Sequence, residues 1–115
     1  HEDEQSSYGV VNEVLSYIYQ NFDSAELNNT TIAEHFGYHP YYLISLVKKV
    51  TGKTLHRQIS DYRISVAIDL LINTEYDINT IAWKCGFSSV SYFINSFKSE
   101  IGVTPKQYRK DIRIV

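Results

Sequence analysis

Methionine is absent from these 115 residues, cysteine occurs once and proline twice. With His1 at the front and no Met, the chain is expected to be a piece of a longer protein that carries a further domain. A single cysteine, Cys85, excludes an internal disulfide, and its apolar-periodic surroundings suit a small buried side chain better than a reactive thiol. So few prolines leave long stretches in which helices can run uninterrupted. No window approaches the roughly 18 consecutive apolar residues of a membrane span, and "HEDEQSSYG" lacks the basic and apolar regions of a signal peptide. The expected setting is the cytoplasm, with no membrane contact by this segment.

Catalytic patterns are missing too. There is no phosphate-cradling glycine loop and no nucleophile motif. His35 and His39 stand four apart, but Gly37 and Pro40 break the helix that would align them, and no cysteine or carboxylate joins them at zinc spacing. The chain is therefore read as a non-enzyme without cofactor or metal.

What is present begins with charge. The net charge of −2 conceals an asymmetry, because Glu2, Asp3, Glu4, Glu13, Asp23 and Glu26 precede any Lys or Arg. All 11 basic residues lie from Lys48 onward, against Asp61, Asp69, Glu75, Asp77, Glu100 and Asp111, a balance of +5. A basic working face beside an acidic lead gives such a pattern.

Periodicity is helical throughout, and the fold class is all-α. Val11, Val14, Leu15, Ile18 and Phe22 make one amphipathic helix over Val10 to Phe22, after an acidic lead at 1–9 expected to be flexible. Then a unit occurs twice, "IAEHFGY" at Ile32 to Tyr38 and "IAWKCGF" at Ile81 to Phe87, 49 positions apart. Asn28 and Asp77 are placed to cap the two helices, with Leu27 and Tyr76 just outside to staple against Ile32 and Ile81. Gly37 and Gly86 stop them. A second helix follows each time, led by Pro40 in one copy and capped by Ser88 or Ser89 in the other. These run to Gly52 and Gly102; one extra residue in the second turn shifts the offset to 50, pairing Leu43 with Phe93, Val47 with Phe97 and Lys48 with Lys98. "TLHRQISDYRISVAIDLLIN" joins the units as a long helix with Ile59, Tyr62, Val66 and Leu70 on one stripe.

A short helix, a glycine turn and a second helix form the helix-turn-helix pattern, whose second helix enters the DNA major groove. Ala33 and Ala82 supply the small residues needed where the helices cross. One copy could equally be an ordinary helical hairpin in a bundle; two copies with matched caps, alanines, glycines and lysines favour DNA binding. The joining helix, roughly 30 Å at 1.5 Å per residue, is close to the ~34 Å between successive major-groove faces. The competing reading is a helical protein-protein interaction module without DNA binding, which has no reason to repeat Lys48 and Lys98.

The paired units, together with "INTIAWKCGFSSVSYFINSFKSEIGVTPKQYR", resemble the DNA-binding domain of the AraC/XylS family of bacterial transcription regulators. Gly86-Phe87, Phe93, Phe97-Lys98, Gly102, Pro105 and Tyr108-Arg109 carry the match, which covers nearly all of Val10 to Arg109. The resemblance implies seven helices in two helix-turn-helix subdomains, 10–52 and 74–115, joined by a linker helix at 53–73. It also implies double-stranded DNA at a promoter or operator as partner, contact with RNA polymerase by an activator, and an N-terminal sensor or dimerisation domain.

Carried across by position, the first recognition helix, Pro40 to Thr51, offers Tyr41, Tyr42, Ile44, Ser45, Lys48 and Lys49, with Leu43, Leu46 and Val47 facing the core. The second, Ser89 to Ile101, offers Ser89, Val90, Ser91, Ile94, Asn95 and Lys98, with Phe93 and Phe97 buried. Asn95 suits bidentate pairing with adenine, while Val90, Ile94 and Ile44 suit thymine methyl groups. Lys48, Lys49 and Lys98 suit phosphates, and Tyr41 and Tyr42 suit packing on the sugar-phosphate backbone. Relative to the family, Ser45 and Asn95 stand where Arg is frequent, His39 where Ser is, Val47 for Phe and Gln58 for Tyr. Without guanidinium groups the strongest guanine contacts are gone. The selected site is expected to be A/T-leaning and the fragment's binding modest, with a shallow dependence of log K on log salt. A G/C-rich selected site, or tight and salt-steep binding in a titration, contradicts that expectation.

Overall fold

The computed structural model describes residues 3–113, with side chains from Ser6 onward. Seven helices and no strand occur among the described residues: α1 Asp3–Asn21, α2 Asn29–Phe36, α3 Pro40–Thr51, α4 Leu55–Asn73, α5 Ile78–Lys84, α6 Val90–Ile101 and α7 Pro105–Ile112. Helix α1 begins at Asp3, well before Val10, so residues 3–9 are its first part and not a lead outside the helix. They carry little apolar pattern, which is why periodicity alone starts the helix late; residues 1–2 lie outside the described residues. Contacts gather the chain into two units, 1–22 with 26–61, and 23–25 with 62–115. The division falls inside α4, so the segment 53–73 is shared by both units.

In the first unit α1 and α2 pack on α3. The buried residues of this unit include Val11, Val14 and Ile18 of α1 with Ile32, Ala33, Leu43, Val47, Leu55 and Ile59, all aliphatic and each at 4% exposure or less. Leu15 and Phe22, expected on the same stripe, are only half-buried. The second unit buries Ile64, Ala67 and Leu71 of α4 with Ile81, Ala82, Cys85, Phe87, Phe93 and Phe97. Of the stripe expected on α4, only Ile59 is buried, and Tyr62, Val66 and Leu70 are half-buried. Each half of the helix answers to its own core, and a single stripe fitted to the whole helix follows neither.

The caps fall where the sequence places them. Asn28 Oδ1 accepts from the Thr31 N–H at 2.9 Å while Thr31 Oγ1 accepts from the Asn28 N–H at 2.9 Å, a reciprocal capping box. Asp77 Oδ1 accepts from the Thr80 N–H at 2.7 Å and Ser89 Oγ, not Ser88, from the Tyr92 N–H at 3.0 Å. The stapling residues differ. Leu27 is buried at 7% exposure, but Tyr76 stays 41% exposed; its ring instead takes the Lys84 ammonium at 4.9 Å from the centroid.

The C-terminus of α4 has a partner that no local signal announces. A helix leaves its last carbonyls without intrahelical donors, and here two arginines of the α7 region supply them. Arg109 donates to the carbonyls of Leu71 at 3.1 Å, Thr74 at 3.2 Å and Tyr76 at 2.6 Å, and Arg113 to Leu71 at 3.2 Å and Thr74 at 2.7 Å. Arg113 also reaches both carboxylate oxygens of Glu75, at 3.0 and 3.1 Å. Only a planar fork spans so many acceptors, so Arg109→Lys is expected to destabilise the chain by about 1–3 kcal/mol, nearly as much as Arg109→Ala. Urea unfolding followed by circular dichroism measures this, and an Arg109→Lys variant as stable as the parent refutes it.

Candidate nucleic-acid interface

Both recognition helices are presented by the same local device. After α2 the Gly37 N–H donates to the Glu34 carbonyl at 3.2 Å and the Tyr38 N–H to that of Ala33 at 2.9 Å; after α5 the Gly86 N–H donates to Trp83 at 3.1 Å and the Phe87 N–H to Ala82 at 3.1 Å. This pairing is the Schellman motif, which needs a left-handed residue at its centre. Gly37 and Gly86 provide it, with φ of 77° and 86°. Helix α5 ends at Lys84, one residue earlier than the repeat suggests, yet the hydrogen bonds of the turn are the same in both copies.

The helices that follow turn one face inward. Leu43 and Val47 of α3, and Phe93 and Phe97 of α6, are 0% exposed, and Leu46 is at 8%. On α3 the outer face carries Tyr41 at 77% and Tyr42 at 49% exposure, together with exposed Ser45, Lys48 and Lys49. On α6 it carries exposed Ser91, Asn95 and Lys98. Ile44 is half-buried, and Val90 and Ile94 spend part of their surface on the second core, which leaves them less to offer a ligand than periodicity alone implies. Two residues have local partners already. Lys48 Nζ donates to the Gly52 carbonyl at 3.0 Å, closing its own helix end, and the Ser89 hydroxyl accepts at the α6 cap. Lys98, the counterpart of Lys48, repeats the charge at the same place on α6.

Three further side chains, His39, His35 and Arg63, have structural partners of their own. His39 caps α3, its Nδ1 accepting from the Tyr41 N–H at 3.1 Å in the role that Ser89 fills for α6. His35, its companion in sequence, stacks on Tyr17 at 4.1 Å, so the two imidazoles serve separate structural ends. Arg63 is buried at 7% exposure, donates to the Ser24 carbonyl at 2.8 Å and lies 5.9 Å from the centre of the Phe87 ring. Burial lowers its pKa from the ordinary value, while Tyr92 and Cys85 pull the other way; a guanidinium nevertheless stays cationic at neutral pH. Burial likewise pushes the Cys85 thiol up to about 12, as befits a core residue. Asp77 is held below the usual carboxylate range, chiefly by the Thr80 backbone N–H, then by the Thr80 side chain and more weakly by Arg109. It is thus an ionised cap at neutral pH.

Two helix-turn-helix units of this kind in one chain define a tandem helix-turn-helix domain. A model of the helix-turn-helix domain matches residues 32–111. The chain is 34% identical over 100 residues to the melibiose operon regulatory protein of Escherichia coli K12, covering 87% of this chain and 33% of that protein. The C-terminal domain of AraT, a response regulator from Geobacillus stearothermophilus, superposes with a TM-score of 0.87 at 31% identity, covering 92% of this chain and 87% of that one. A regulator from Chromobacterium violaceum described as having an AraC-type DNA-binding domain gives 0.80 at 25% identity, covering 96% and 98%. The chain belongs to the AraC/XylS family of helix-turn-helix transcription regulators. It spans about a third of the length of the melibiose regulator.

The His39 cap makes a testable difference between the copies. Because Ser supplies the same acceptor, His39→Ser is expected to keep the thermal midpoint of the parent, whereas His39→Ala loses about 1 kcal/mol. Thermal unfolding of the two variants decides it, and equal losses in both show that the imidazole contributes packing and not the cap.

Proposed function

We propose that this chain binds double-stranded DNA sequence-specifically by placing α3 and α6 in successive major-groove segments, and that the protein to which it belongs regulates transcription at promoters. The observation that carries this reading is the repetition of one capped, Schellman-closed scaffold beneath two outward polar helix faces. A helix that merely fills a bundle gains nothing from a second copy with matched turn, cap and terminal lysine.

Chemistry assigns the roles. Asn95 pairs with adenine through both atoms of its amide, and the short hydroxyls of Ser45 and Ser91 reach base edges, with Ile44, Val90 and Ile94 against thymine methyls where their exposed parts allow. Lys49 and Lys98 meet phosphates, Ser89 and Tyr41 adjoin the backbone, and Lys48 does so once it releases the Gly52 carbonyl. Helix α4, 19 residues without a break, is the spacer; at 1.5 Å per residue it is ~28 Å long, comparable with the ~34 Å groove repeat. In the full protein, working in the cytoplasm, a separate sensor or dimerisation domain sets when the operator is occupied, and the bound regulator contacts RNA polymerase as an activator.

A selection from random oligonucleotides tests the assignment. The chain is expected to enrich a bipartite site and to protect about two helical turns of DNA. Asn95→Ala is expected to weaken the selected site about tenfold or more, consistent with one bidentate base contact, and to relax preference in one half only, while Ser45→Ala relaxes the other half. Protection of merely half a dozen base pairs, or relaxation across both halves by either variant, rules out the two-head arrangement.

A further inference from the structure

In each copy the residue after the turn glycine is aromatic, and its ring rests against the third residue of the recognition helix. Tyr38 and Tyr42 lie 5.4 Å apart between centroids with 43° between planes. Phe87 and Tyr92 lie 5.8 Å apart at 70°. The offset of 50 that pairs Leu43 with Phe93 also pairs Tyr42 with Tyr92. The second tyrosine is thus the structural counterpart of the first, although the family comparison by position left it out of the candidate contacts.

The two phenols are held alike. Phe87 is at 2% exposure and is fixed in turn by Phe93 at 5.0 Å, while Tyr92 keeps 40% of its surface open, close to the 49% of Tyr42. Ring contacts of this geometry restrain an aromatic side chain without covering its outer edge. At about 100° per residue, Ser91, Asn95 and Lys98 fall in one narrow stripe and Tyr92 stands on its flank. A flank position meets the wall of the groove, where the phosphates run, and not its floor.

We infer that Tyr92 is a further DNA-contacting residue of the second head, its phenol O–H donating to a backbone phosphate from a ring held by Phe87. The inference rests on the reading that α6 enters the major groove. It adds a neutral, sequence-independent anchor to that helix.

Tyr92→Phe tests it, because the change removes one O–H and keeps the ring that packs on Phe87. Titrations of the selected operator in a salt series are expected to show about a tenfold larger Kd for the variant, the size of one hydrogen bond to a charged group. The thermal midpoint is expected to stay that of the parent. Because a neutral donor displaces no counterion, the slope of log K against log salt should also be unchanged, whereas Lys98→Met lowers it. The loss should be equal on operators altered at single base pairs. A Kd within twofold of the parent overturns the inference, as does a changed salt slope or a loss confined to one base-pair identity. If the parent chain itself prefers no sequence, the reading of α6 as a recognition helix falls with it, a result distinct from a silent Tyr92→Phe.

Discussion

The left-handed glycine at the centre of each turn is the constraint on which both heads depend. Placing the chain at φ of 77° or 86° lets two consecutive N–H groups fold back on the helix end, and the second of them reaches the carbonyl of Ala33 or Ala82. Both alanines are 0% exposed, so the same residue type closes the turn through its carbonyl and admits the next helix through its small side chain. At Gly37 a built Cβ meets nothing within 4 Å. The requirement there is the backbone conformation itself and not lack of room, a cost of roughly 1–2 kcal/mol for any other L residue. Lose that conformation and the following helix loses its direction, whatever side chains it bears.

On this common scaffold the copies are finished differently. The inward pair is Leu43 and Val47 in one and Phe93 and Phe97 in the other, and the second core adds a chain of ring contacts from Phe93 through Phe97 to Tyr108 at 5.9 and 5.6 Å. Larger rings fill more space per residue, and α5, at seven residues against eight for α2, offers less surface of its own. The caps diverge in the same way: an imidazole ahead of Pro40 for α3, a hydroxyl for α6. Matching hydrogen bonds with unmatched side chains indicate that what the repeat preserves is the path of the backbone.

That distinction separates what could be read from the sequence and what could not. Caps, turn glycines and the inward faces of α3 and α6 rest on signals within five residues of one another, and Asn28, Asp77, Gly37, Phe93 and Phe97 sit where those signals put them. The outward faces of α3 and α6 follow from the same periodicity, so exposed Ser45 and Asn95 could be placed before any coordinates. Partnerships across long stretches of chain leave no such trace. Arg63 meets Ser24, 39 positions away, and Arg109 meets Tyr76, 33 away. The Lys48 bond to the Gly52 carbonyl is local and still leaves no trace, because a helix-end lysine can serve its own carbonyls or a phosphate and composition does not choose. The pairing of Tyr92 with Tyr42, by contrast, is legible through the offset of 50 within the repeat itself.

The allocation of cations explains the character of the proposed interface. All four arginines are engaged elsewhere: Arg57 with Asp61 at 2.7 Å, Arg63 in the second core, and Arg109 and Arg113 on the end of α4. A guanidinium is the group best able to satisfy several carbonyls at once, and it is equally the group best able to pair with guanine. In this chain Arg109 and Arg113 are given to the first use, Arg57 and Arg63 lie on α4, and the outer faces of α3 and α6 are left with lysines, hydroxyls and one amide. A lysine is a point charge that holds a phosphate without discriminating bases. Discrimination therefore falls to short neutral groups whose reach is small, and such groups read a base only if the helix beneath them is held rigidly in register. On the proposed reading, Arg109 and Arg113 serve that rigidity by tying the end of α4 to α7, and the buried Arg63 by holding α4 to Ser24 and the Phe87 ring, although none of them lies on α3 or α6.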